Sequence, residues 1–348
     1  MRKTVFVVDD NDTNLSMAEE SLEDIYDVMT IPSGARLFVI LKKIKPHLIL
    51  LDIEMPEMDG FQVLELLRAD KEYAKIPVIF LTGNRGSEYE VRGFEQGVVD
   101  FITKPFSTPV LLNRVKLHID VNMLVREQTE KLARSHQILI SVLADLVESR
   151  DSGTGGHIER TSEYVKVLVG EMQKQKVYDE EIKDWDLELM SLSATLHDIG
   201  KISVSDIILN KPDRLTDEEF IHIKDHAANG AKIIDRVIKR TAVGADDEFL
   251  RHARAFAVYH HESWDGTGYP EGLAGVEIPI EGRIMAIADV YDALVSARPY
   301  KPAYSHEKAV DIIMKDSGKR FDPKIAGVFE QMHTTFKDVQ SAIMAGKR

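Results

Sequence analysis

Two pairs of adjacent residues have the types and the neighbours expected of metal ligands. His197 and Asp198 close the apolar run "LMSLSATLHDIGK" (189–201), and His260 and His261 precede the loop "ESWDGTGYP" (262–270). An aspartate that points into an apolar interior requires a partner, and a metal ion is a strong one. Imidazole and carboxylate without thiolate favour Fe, Mn, Co, Ni or Zn. The two pairs therefore predict a transition-metal site.

A second set of candidate ligands lies elsewhere in the same half of the chain. Asp289 lies in the apolar segment "RIMAIADVYDAL", and Asp292, three residues on, shares its helix face. Two inward carboxylates on one helix repel each other unless cations lie between them. With His157 and His226, five histidines and the two aspartates Asp198 and Asp289 make about seven ligands, which exceeds the needs of one ion. The set predicts two metals bridged by a carboxylate, the usual arrangement for phosphodiester hydrolysis.

The first third of the chain contains a different group of polar residues, each at the end of a predicted strand. Asp9 and Asp10 end the first strand, Asp52 the third, Thr82 the fourth and Lys104 the fifth. The carboxyl ends of neighbouring parallel strands converge, so three carboxylates should meet and bind Mg²⁺. A carboxylate nucleophile beside a hydroxyl and an ammonium predicts a site that accepts a phosphoryl group.

The elements that position these residues differ between the two halves of the chain. Near-continuous apolar runs separated by helical segments such as 59–70 predict a doubly wound, five-stranded parallel α/β sheet. The clearest strand signals cover 4–10, 46–53, 76–83 and 99–105. After residue 150 strand signals nearly vanish, which predicts an all-α domain with helices over 157–175, 183–200, 216–240, 247–261 and 281–297. A helix over 183–200 would place His197 and Lys201, four residues apart, on one face.

A continuous helical stretch over 107–149 joins the two halves. Apolar residues recur along it at spacings of three and four, with two polar interruptions: Val125, Gln128, Leu132, Ser135, Leu139, Val142 and Leu146. This pattern fits either a helix packed on its own domain or a dimeric coiled coil. Because the stretch connects two domains, we favour a signalling helix.

Composition limits the classes of partner. The chain has 348 residues, a net charge of −14 and no cysteine. The negative charge disfavours nucleic acid as a partner. The absence of cysteine excludes disulfides and thiolate ligands and suits a cytoplasmic location. No apolar stretch approaches the ~20 residues that a membrane span requires.

Residues 1–120 resemble the response-regulator receiver family. Four segments match its motifs in order and spacing: "VVDDN" (7–11), "LLDIEMPEMDG" (50–60), "LTG" (81–83) and "FITKPF" (101–106). The resemblance implies a flavodoxin-like fold, phosphorylation of Asp52 by a partner histidine kinase, and Mg²⁺ held by Asp9, Asp10 and Asp52.

The same resemblance assigns the remaining receiver residues. Thr82 and Lys104 would contact the phosphoryl group, and Phe101 takes the place of the switching aromatic residue. Phe101 lacks the hydroxyl of the tyrosine often found there. The Lys104–Pro105 bond is expected to be cis, which only a bond before proline adopts readily.

The remainder of the chain resembles the HD-GYP phosphodiesterases, which hydrolyse the bacterial second messenger cyclic di-GMP. Long motifs carry this resemblance: "TGGHIER" (154–160), "HDIGKI" (197–202), "LNKPDRLTDEEF" (209–220), "HAANGAKII" (226–234), "HHESWDGTGYP" (260–270) and "RIMAIADVYDALVSARPYK" (283–301). It implies an HD-type metal-dependent phosphohydrolase fold. One metal would be bound by His157, His197, Asp198 and Asp289, and a second by Asp198, His226, His260 and His261.

The resemblance also implies substrate contacts. Lys201 would bind the scissile phosphate and assist the leaving oxygen. The other expected contacts are Gly268, Tyr269, Asp292, Arg298 and Lys301. Family members with three metals carry a glutamate four residues before the first histidine, where "RDSGTGGH" places Gly153. This departure predicts a dinuclear centre, holding Fe or Mn in preference to Ni, Co or Zn, with pGpG as the main product rather than GMP.

These expectations define three segments and a leading function. We expect a receiver domain over 1–120, a signalling helix over 121–149 and a phosphodiesterase domain over 150–345, in a homodimer without nucleic-acid or membrane binding. The leading function is phosphorylation-controlled hydrolysis of cyclic di-GMP. Two alternatives remain: a cyclic di-GMP-binding effector that acts through protein contacts, and a phosphodiesterase for another cyclic dinucleotide such as cyclic GMP-AMP.

Overall fold

A computed structural model of the chain describes residues 2–83, 87–150, 156–211, 213–241, 247–297 and 302–346. The chain divides into two compact units, Met1–Ala133 and Arg134–Arg348, which are described separately. Three residues named in the sequence predictions, Gly153, Arg298 and Lys301, lie outside the described residues. No helix in the described part of the chain is both long enough and apolar enough to cross a membrane.

The first unit contains the predicted five-stranded parallel sheet. Its strands are β1 (Thr4–Val8), β2 (Asp27–Ile31), β3 (Leu48–Asp52), β4 (Val78–Thr82) and β5 (Asp100–Thr103), in the order β2-β1-β3-β4-β5. β1, β3 and β4 lie inside the sheet, and apart from Thr4 all their residues are buried, as expected for a sheet covered on both faces. Together with the helices below, this confirms the predicted fold class of the first domain.

Five helices follow the strands. They are α1 (Asp12–Leu22), α2 (Gly34–Leu41), α3 (Gly60–Ala69), α4 (Ser87–Glu95) and α5 (Thr108–Glu148). Asp59 begins α3 with a capping box in which its side chain and that of Gln62 exchange hydrogen bonds with backbone amides. A Cβ atom on Gly60 would lie 2.4 Å from the carbonyl oxygen of Asp52, so only glycine lets α3 start this close to the end of β3.

The second unit is helical, which confirms the predicted all-α domain. After the final turns of α5 its helices are α6 (His157–Lys174), α7 (Asp179–Ile182), α8 (Leu187–Ala194), α9 (Asp206–Leu209), α10 (Asp217–Thr241), α11 (Glu248–Tyr259), α12 (Ile280–Val295), α13 (His306–Lys315) and α14 (Pro323–Gly346). Two 3₁₀ helices, Ile199–Ser203 and Gly275–Glu277, lie between them.

Helix α12 runs through the core of the second unit. Its buried residues include Ile284, Met285, Ile287 and Tyr291, which pack with α6 and α14. Other helices cover most of the surface of α12. In its central turns Asp289 is the one residue that is partly exposed, so its side chain is directed out of the packed core.

The stretch that joins the two halves is a single helix, α5, in the structure. Several of the apolar residues predicted to form a stripe are more than half exposed, among them Leu132, Leu139 and Leu146. Within the described chain, therefore, the stripe is not covered along this part of α5.

Candidate functional site

The structure brings five histidines from four different segments to one place. They form two groups with Asp198, and within each group the ligand atoms lie within 4.8 Å of one another. His157, His197 and Asp198 form the first group, and His226, His260 and His261 form the second. The residues come from the start of α6, the turn after α8, the middle of α10 and the end of α11. All six of these residues are predicted as ligands from the sequence, and the structure places them together.

Asp198 lies between the two groups and presents one oxygen to each. Its Oδ2 is 3.4 Å from His197 Nε2, and its Oδ1 is 3.3 Å from His226 Nε2 and 3.8 Å from His260 Nε2. A carboxylate in this position can bridge two cations, since each oxygen has a free lone pair directed at a different set of nitrogens.

The orientation of the imidazole rings is what a metal site requires. His226 Nδ1 is 2.6 Å from the carbonyl oxygen of Ile223, and His260 Nδ1 is 2.9 Å from that of Phe256. A carbonyl oxygen only accepts, so each Nδ1 carries a hydrogen and Nε2 is the ring nitrogen left to bind a metal. Metal-bound histidines are oriented in this way.

Two contacts between ring nitrogens show that cations fit this donor set. His226 Nε2 lies 3.2 Å from His260 Nε2, and His157 Nε2 lies 3.4 Å from His197 Nε2. Burial lowers the pKa of His260 to about 3, and any positive charge on His226 adds to the shift, so at neutral pH this ring is uncharged and, with its hydrogen on Nδ1, has none at Nε2. Two facing lone pairs repel, and a divalent cation bound by both turns the repulsion into attraction.

Charged neighbours lower the pKa of Asp198 and raise the pKa of His157. Burial acts to raise the pKa of Asp198, but the ammonium of Lys201 and the nearby imidazoles outweigh it and hold the pKa well below its usual range. Burial acts to lower the pKa of His157, but Asp292 and Asp289 outweigh it and the pKa is raised. Asp289 Oδ1 lies 3.6 Å from His157 Nε2, which places this carboxylate at the first group as predicted.

The geometry around Lys201 differs from the sequence prediction. The predicted helix over 183–200 ends at Ala194, and the chain continues through a turn into the 3₁₀ helix Ile199–Ser203. In such tight turns residues three apart share a face. Lys201 therefore pairs with Asp198, at 2.9 Å from Nζ to Oδ2, whereas the prediction that it shares a face with His197 was wrong.

Gly200 explains why the chain tightens at this point. A Cβ atom at Gly200 would lie 1.8 Å from the carbonyl oxygen of His226 and 2.6 Å from the amide nitrogen of Gly230. The 3₁₀ helix is thus pressed directly against the backbone of α10. This contact brings Asp198 close to His226 of α10.

Asp292 occupies a different position from the substrate contact that we predicted. It is 1% exposed, its Oδ2 accepts from His157 Nδ1 at 2.8 Å, and both its oxygens accept from Arg160 at 2.6 and 2.9 Å. A carboxylate with both oxygens occupied behind a ligand fixes that ligand's ring. The geometry favours an orienting role for Asp292 over a substrate contact. Arg160, the last residue of the motif over 154–160, was not identified as functional from the sequence.

The loop after His261 folds back on the helix end that precedes it. Glu262 is 3% exposed and accepts hydrogen bonds from the amides of Glu271, Gly272 and Leu273. A Cβ atom on Gly268 would lie 2.3 Å from the amide nitrogen of Ser263, so this glycine allows the loop to pack on itself. This packing accounts for Gly268 without the substrate contact that we predicted.

Tyr269 lies next to the second histidine group. Its ring stacks on His261, with centroids 4.7 Å apart and planes at 28°. Lys224 Nζ lies 5.0 Å from the centroid of the Tyr269 ring and 4.8 Å from that of Phe220. Lys224 could not be identified from the sequence, because a lysine on a polar helix turn has no distinguishing signal.

The receiver residues also converge at the carboxyl edge of the sheet. Asp9, Asp10 and Asp52 form a third group of potential metal ligands, with ligand atoms within 4.8 Å. Lys104 Nζ lies 2.8 Å from Asp9 Oδ2 and 2.7 Å from Asp52 Oδ1. Burial raises the pKa of Asp52, the hydrogen bond from Lys104 opposes that shift, and the charge of Asp9 adds to it. Oxygen ligands alone suit Mg²⁺.

The remaining receiver residues, Thr82 and Phe101, lie in the packed part of the domain. Thr82 is buried at the end of β4, and Phe101 is 8% exposed with its ring edge-on to Phe80 and Phe94. A Cβ atom on Gly93 would lie 2.4 Å from Phe101 Cζ, so α4 and this ring are in close contact. The Lys104–Pro105 bond is cis, as expected, and so is Tyr269–Pro270.

Comparison with known proteins assigns a different family to each half of the chain. Residues 5–116 match the response regulator receiver domain, and residues 141–325 match the HD domain. A Vibrio cholerae protein named probable cyclic di-GMP phosphodiesterase is 38% identical over 350 residues, which cover 97% of this chain and 79% of that protein. The chain belongs to the HD-domain response regulators. The HD domain and the names of the relatives support a phosphodiesterase.

Two further relatives of this HD-domain response regulator differ in the substrate that their names give. The cyclic di-GMP phosphodiesterase response regulator RpfG of Xanthomonas campestris pv. campestris is 33% identical, and the match covers 92% of this chain and 85% of that protein. The 3'3'-cGAMP-specific phosphodiesterase 2 of Vibrio cholerae is 30% identical, and the match covers 79% of this chain and 49% of that protein.

Proposed function

We propose that this HD-domain response regulator hydrolyses cyclic di-GMP to the linear product pGpG at a centre of two divalent metal ions, under the control of phosphoryl transfer to Asp52. The observation that carries the proposal is the position of Asp198, whose two oxygens face two separate histidine groups. A bridged pair of metal sites is the arrangement used for phosphodiester hydrolysis.

The ligand assignment follows from the two groups. One ion is assigned to His157, His197, Asp198 and Asp289, and the other to Asp198, His226, His260 and His261. Nitrogen and oxygen donors without sulfur suit Fe or Mn, and also accept Ni, Co or Zn. Two such ions, when bound, supply an activated water and neutralise charge that develops on the phosphate.

The reaction itself is a single hydrolysis at one of the two phosphodiesters. Water adds to phosphorus, the bond from phosphorus to the 3' oxygen breaks, and that oxygen takes up a proton. Lys201 is a proton-bearing group beside the bridging carboxylate, with Nζ 2.9 Å from Asp198 Oδ2. It is placed to bind the phosphate and to assist departure of the oxygen.

The substrate assignment rests on the named relatives and on the edge of the site. Tyr269 and Lys224 offer an aromatic face and a positive charge beside the second histidine group. Both suit a purine base joined to a phosphate. Arg298 and Lys301 remain predicted substrate contacts. A cyclic GMP-AMP specificity is the competing possibility, since one relative carries that name.

Regulation is assigned to the receiver and to α5. A histidine kinase would phosphorylate Asp52 with Mg²⁺ at Asp9 and Asp10. We propose domain limits of 1–120, 121–149 and 150–345, and a homodimer formed along the exposed apolar residues of α5. Crosslinking along that helix in phosphorylated and unphosphorylated protein tests the dimer, and identical patterns in both states would argue against it.

One experiment tests the catalytic proposal. The purified chain, loaded with Mn²⁺ or anaerobic Fe²⁺, is incubated with cyclic di-GMP and with cyclic GMP-AMP, and the products are separated by chromatography. We expect pGpG from cyclic di-GMP, a slower reaction with cyclic GMP-AMP, and about two metal ions per chain. His197→Ala should abolish hydrolysis, while His222→Ala, which changes an exposed histidine, should not. Intact cyclic di-GMP after incubation with metal-loaded protein would refute the assignment.

A further inference from the structure

Arg150 follows the last turn of α5 and holds the segment that carries Lys201. Its Nη1 donates to the carbonyl oxygen of Ile202 at 2.9 Å and approaches that of Lys201 at 3.5 Å. Its Nη2 donates to the carbonyl oxygen of Val204 at 3.0 Å. The guanidinium group therefore binds three carbonyl groups of one short backbone segment.

Two residues just after this segment, Asp206 and Asn210, also bind Arg150. Asp206 Oδ1 accepts from Nε at 3.1 Å and from Nη2 at 2.8 Å, and Asn210 Nδ2 donates to the carbonyl oxygen of Arg150 at 2.8 Å. Asp206 is largely exposed, so the ion pair by itself contributes little to stability. The directional bonds to the carbonyl groups are what fix the position of the segment.

The held segment leads directly into the proposed metal centre. Lys201 N donates to the carbonyl oxygen of Asp198 at 2.9 Å, and Val204 N donates to that of Lys201 at 3.0 Å. On its other side the 3₁₀ helix has no free space, because Gly200 is pressed against the backbone of α10. Residues 199–204 are thus packed between α10 and Arg150. Because such packing leaves little free space, a displacement of Arg150 would displace this segment.

The chain connects this arginine to the receiver through one unbroken element. Helix α5 runs from Thr108 to Glu148, so it begins in the receiver part of the sequence and ends two residues before Arg150. We propose that Arg150 is a positioning residue that transmits a change in α5 to Lys201 and Asp198. This inference rests on the proposed function and adds the route by which the receiver controls that site.

Hydrogen–deuterium exchange on the full, metal-loaded chain tests the route without any substrate. Beryllium fluoride with Mg²⁺ serves as the phosphoryl analogue at Asp52. In the unmodified protein we expect the analogue to change the exchange of amides in residues 199–206. Arg150→Lys keeps the charge but loses the forked hydrogen bonds to the backbone carbonyl groups of residues 201–204, so this change in exchange should disappear. Arg134→Lys, at an exposed position on α5, should behave like the unmodified protein.

Kinetics give a second readout. We expect Arg150→Lys to lower kcat by about tenfold to a hundredfold through misplacement of Lys201, with a smaller change in KM and unchanged metal content. The ratio of the rates with and without beryllium fluoride should fall to near one. Asp206→Asn should reduce the ratio less, because the carbonyl bonds remain, and adding it to Arg150→Lys should have little further effect.

The outcomes separate this inference from the proposed function. If the unmodified protein does not hydrolyse cyclic di-GMP, the proposed function fails, and the exchange experiment still decides whether Arg150 couples α5 to residues 199–206. An Arg150→Lys protein that keeps the full response to beryllium fluoride overturns the inference. So does an unmodified protein in which the analogue leaves exchange in 199–206 unchanged.

Discussion

Replacement of Asp292 by asparagine should weaken metal binding at one half of the centre only. The carboxylate accepts from His157 Nδ1 at 2.8 Å and from Arg160 at 2.6 and 2.9 Å, and both carboxylate and arginine are buried. The amide side chain of the variant would still offer one oxygen, but its NH₂ group would face a donor and the negative charge would be lost. The ring of His157 would then be held less firmly, and Arg160 would lose its charge partner.

The magnitude follows from the two interactions. Loss of an orienting partner behind a metal-bound histidine reduces metal affinity by about 10- to 100-fold. Each factor of ten corresponds to about 1.4 kcal/mol, so the effect on binding is about 1.4–2.8 kcal/mol. Removing one partner of a buried ion pair costs about 3–5 kcal/mol of stability. The retained amide oxygen should keep the loss of stability at the lower end of that range.

The assay separates the two groups of ligands. Metal content is measured after dialysis, and binding is titrated into metal-free protein by calorimetry. We expect the variant to keep one tightly bound ion, at His226, His260 and His261, and to lose most of the other. Asp311→Asn, a change in an exposed carboxylate paired with Lys308 and Lys315, is the matched control and should leave both sites unchanged. Equal weakening of both sites, or of neither, would refute the orienting role.

Three further predictions concern other parts of the molecule. Gly200→Ala should destabilise the chain by about 1–3 kcal/mol in chemical denaturation, because its Cβ would overlap the backbone of α10; an unchanged midpoint would contradict this close packing. In metal-free protein the pKa of His260 is lowered from its ordinary value of 6.5 to about 3. Between these two pH values the unfolded chain binds a proton at His260 that the folded chain does not, so the free energy of unfolding should fall as the pH falls from 6.5 towards about 3. His260→Gln should reduce that slope in thermal melts, and an identical slope would count against a buried neutral ring. Lys104→Met should destabilise the metal-free chain by about 3–5 kcal/mol, since two buried carboxylates lose their shared ammonium, and Mg²⁺ should restore part of the loss; denaturation that does not respond to Mg²⁺ would argue against cation binding at these carboxylates.

Residue types and their order along the chain were enough to predict which groups would be ligands and roughly where they lie. Apolar runs that end in Asp9, Asp52 and Thr82 predict their meeting at one sheet edge, because parallel strands bring their carboxyl ends together. The adjacent pairs His197–Asp198 and His260–His261 predict inward ligands, because a buried carboxylate requires a partner and a metal ion is a strong one. These inferences depend on periodicity and on chemical type, both of which are local properties of the chain.

How the ligands are shared between the two groups and held in position follows from contacts between distant segments. That Asp198 presents one oxygen to each histidine group depends on the close packing of Gly200 against α10, which converts an expected helix into a 3₁₀ turn and gives Lys201 a different neighbour. Asp292 was predicted to contact the substrate, whereas in the structure it accepts hydrogen bonds from His157 and Arg160. Arg150 and the segment that it holds lie more than fifty residues apart in the chain. Contacts between distant segments depend on how whole helices pack, and no local pattern in the sequence encodes them.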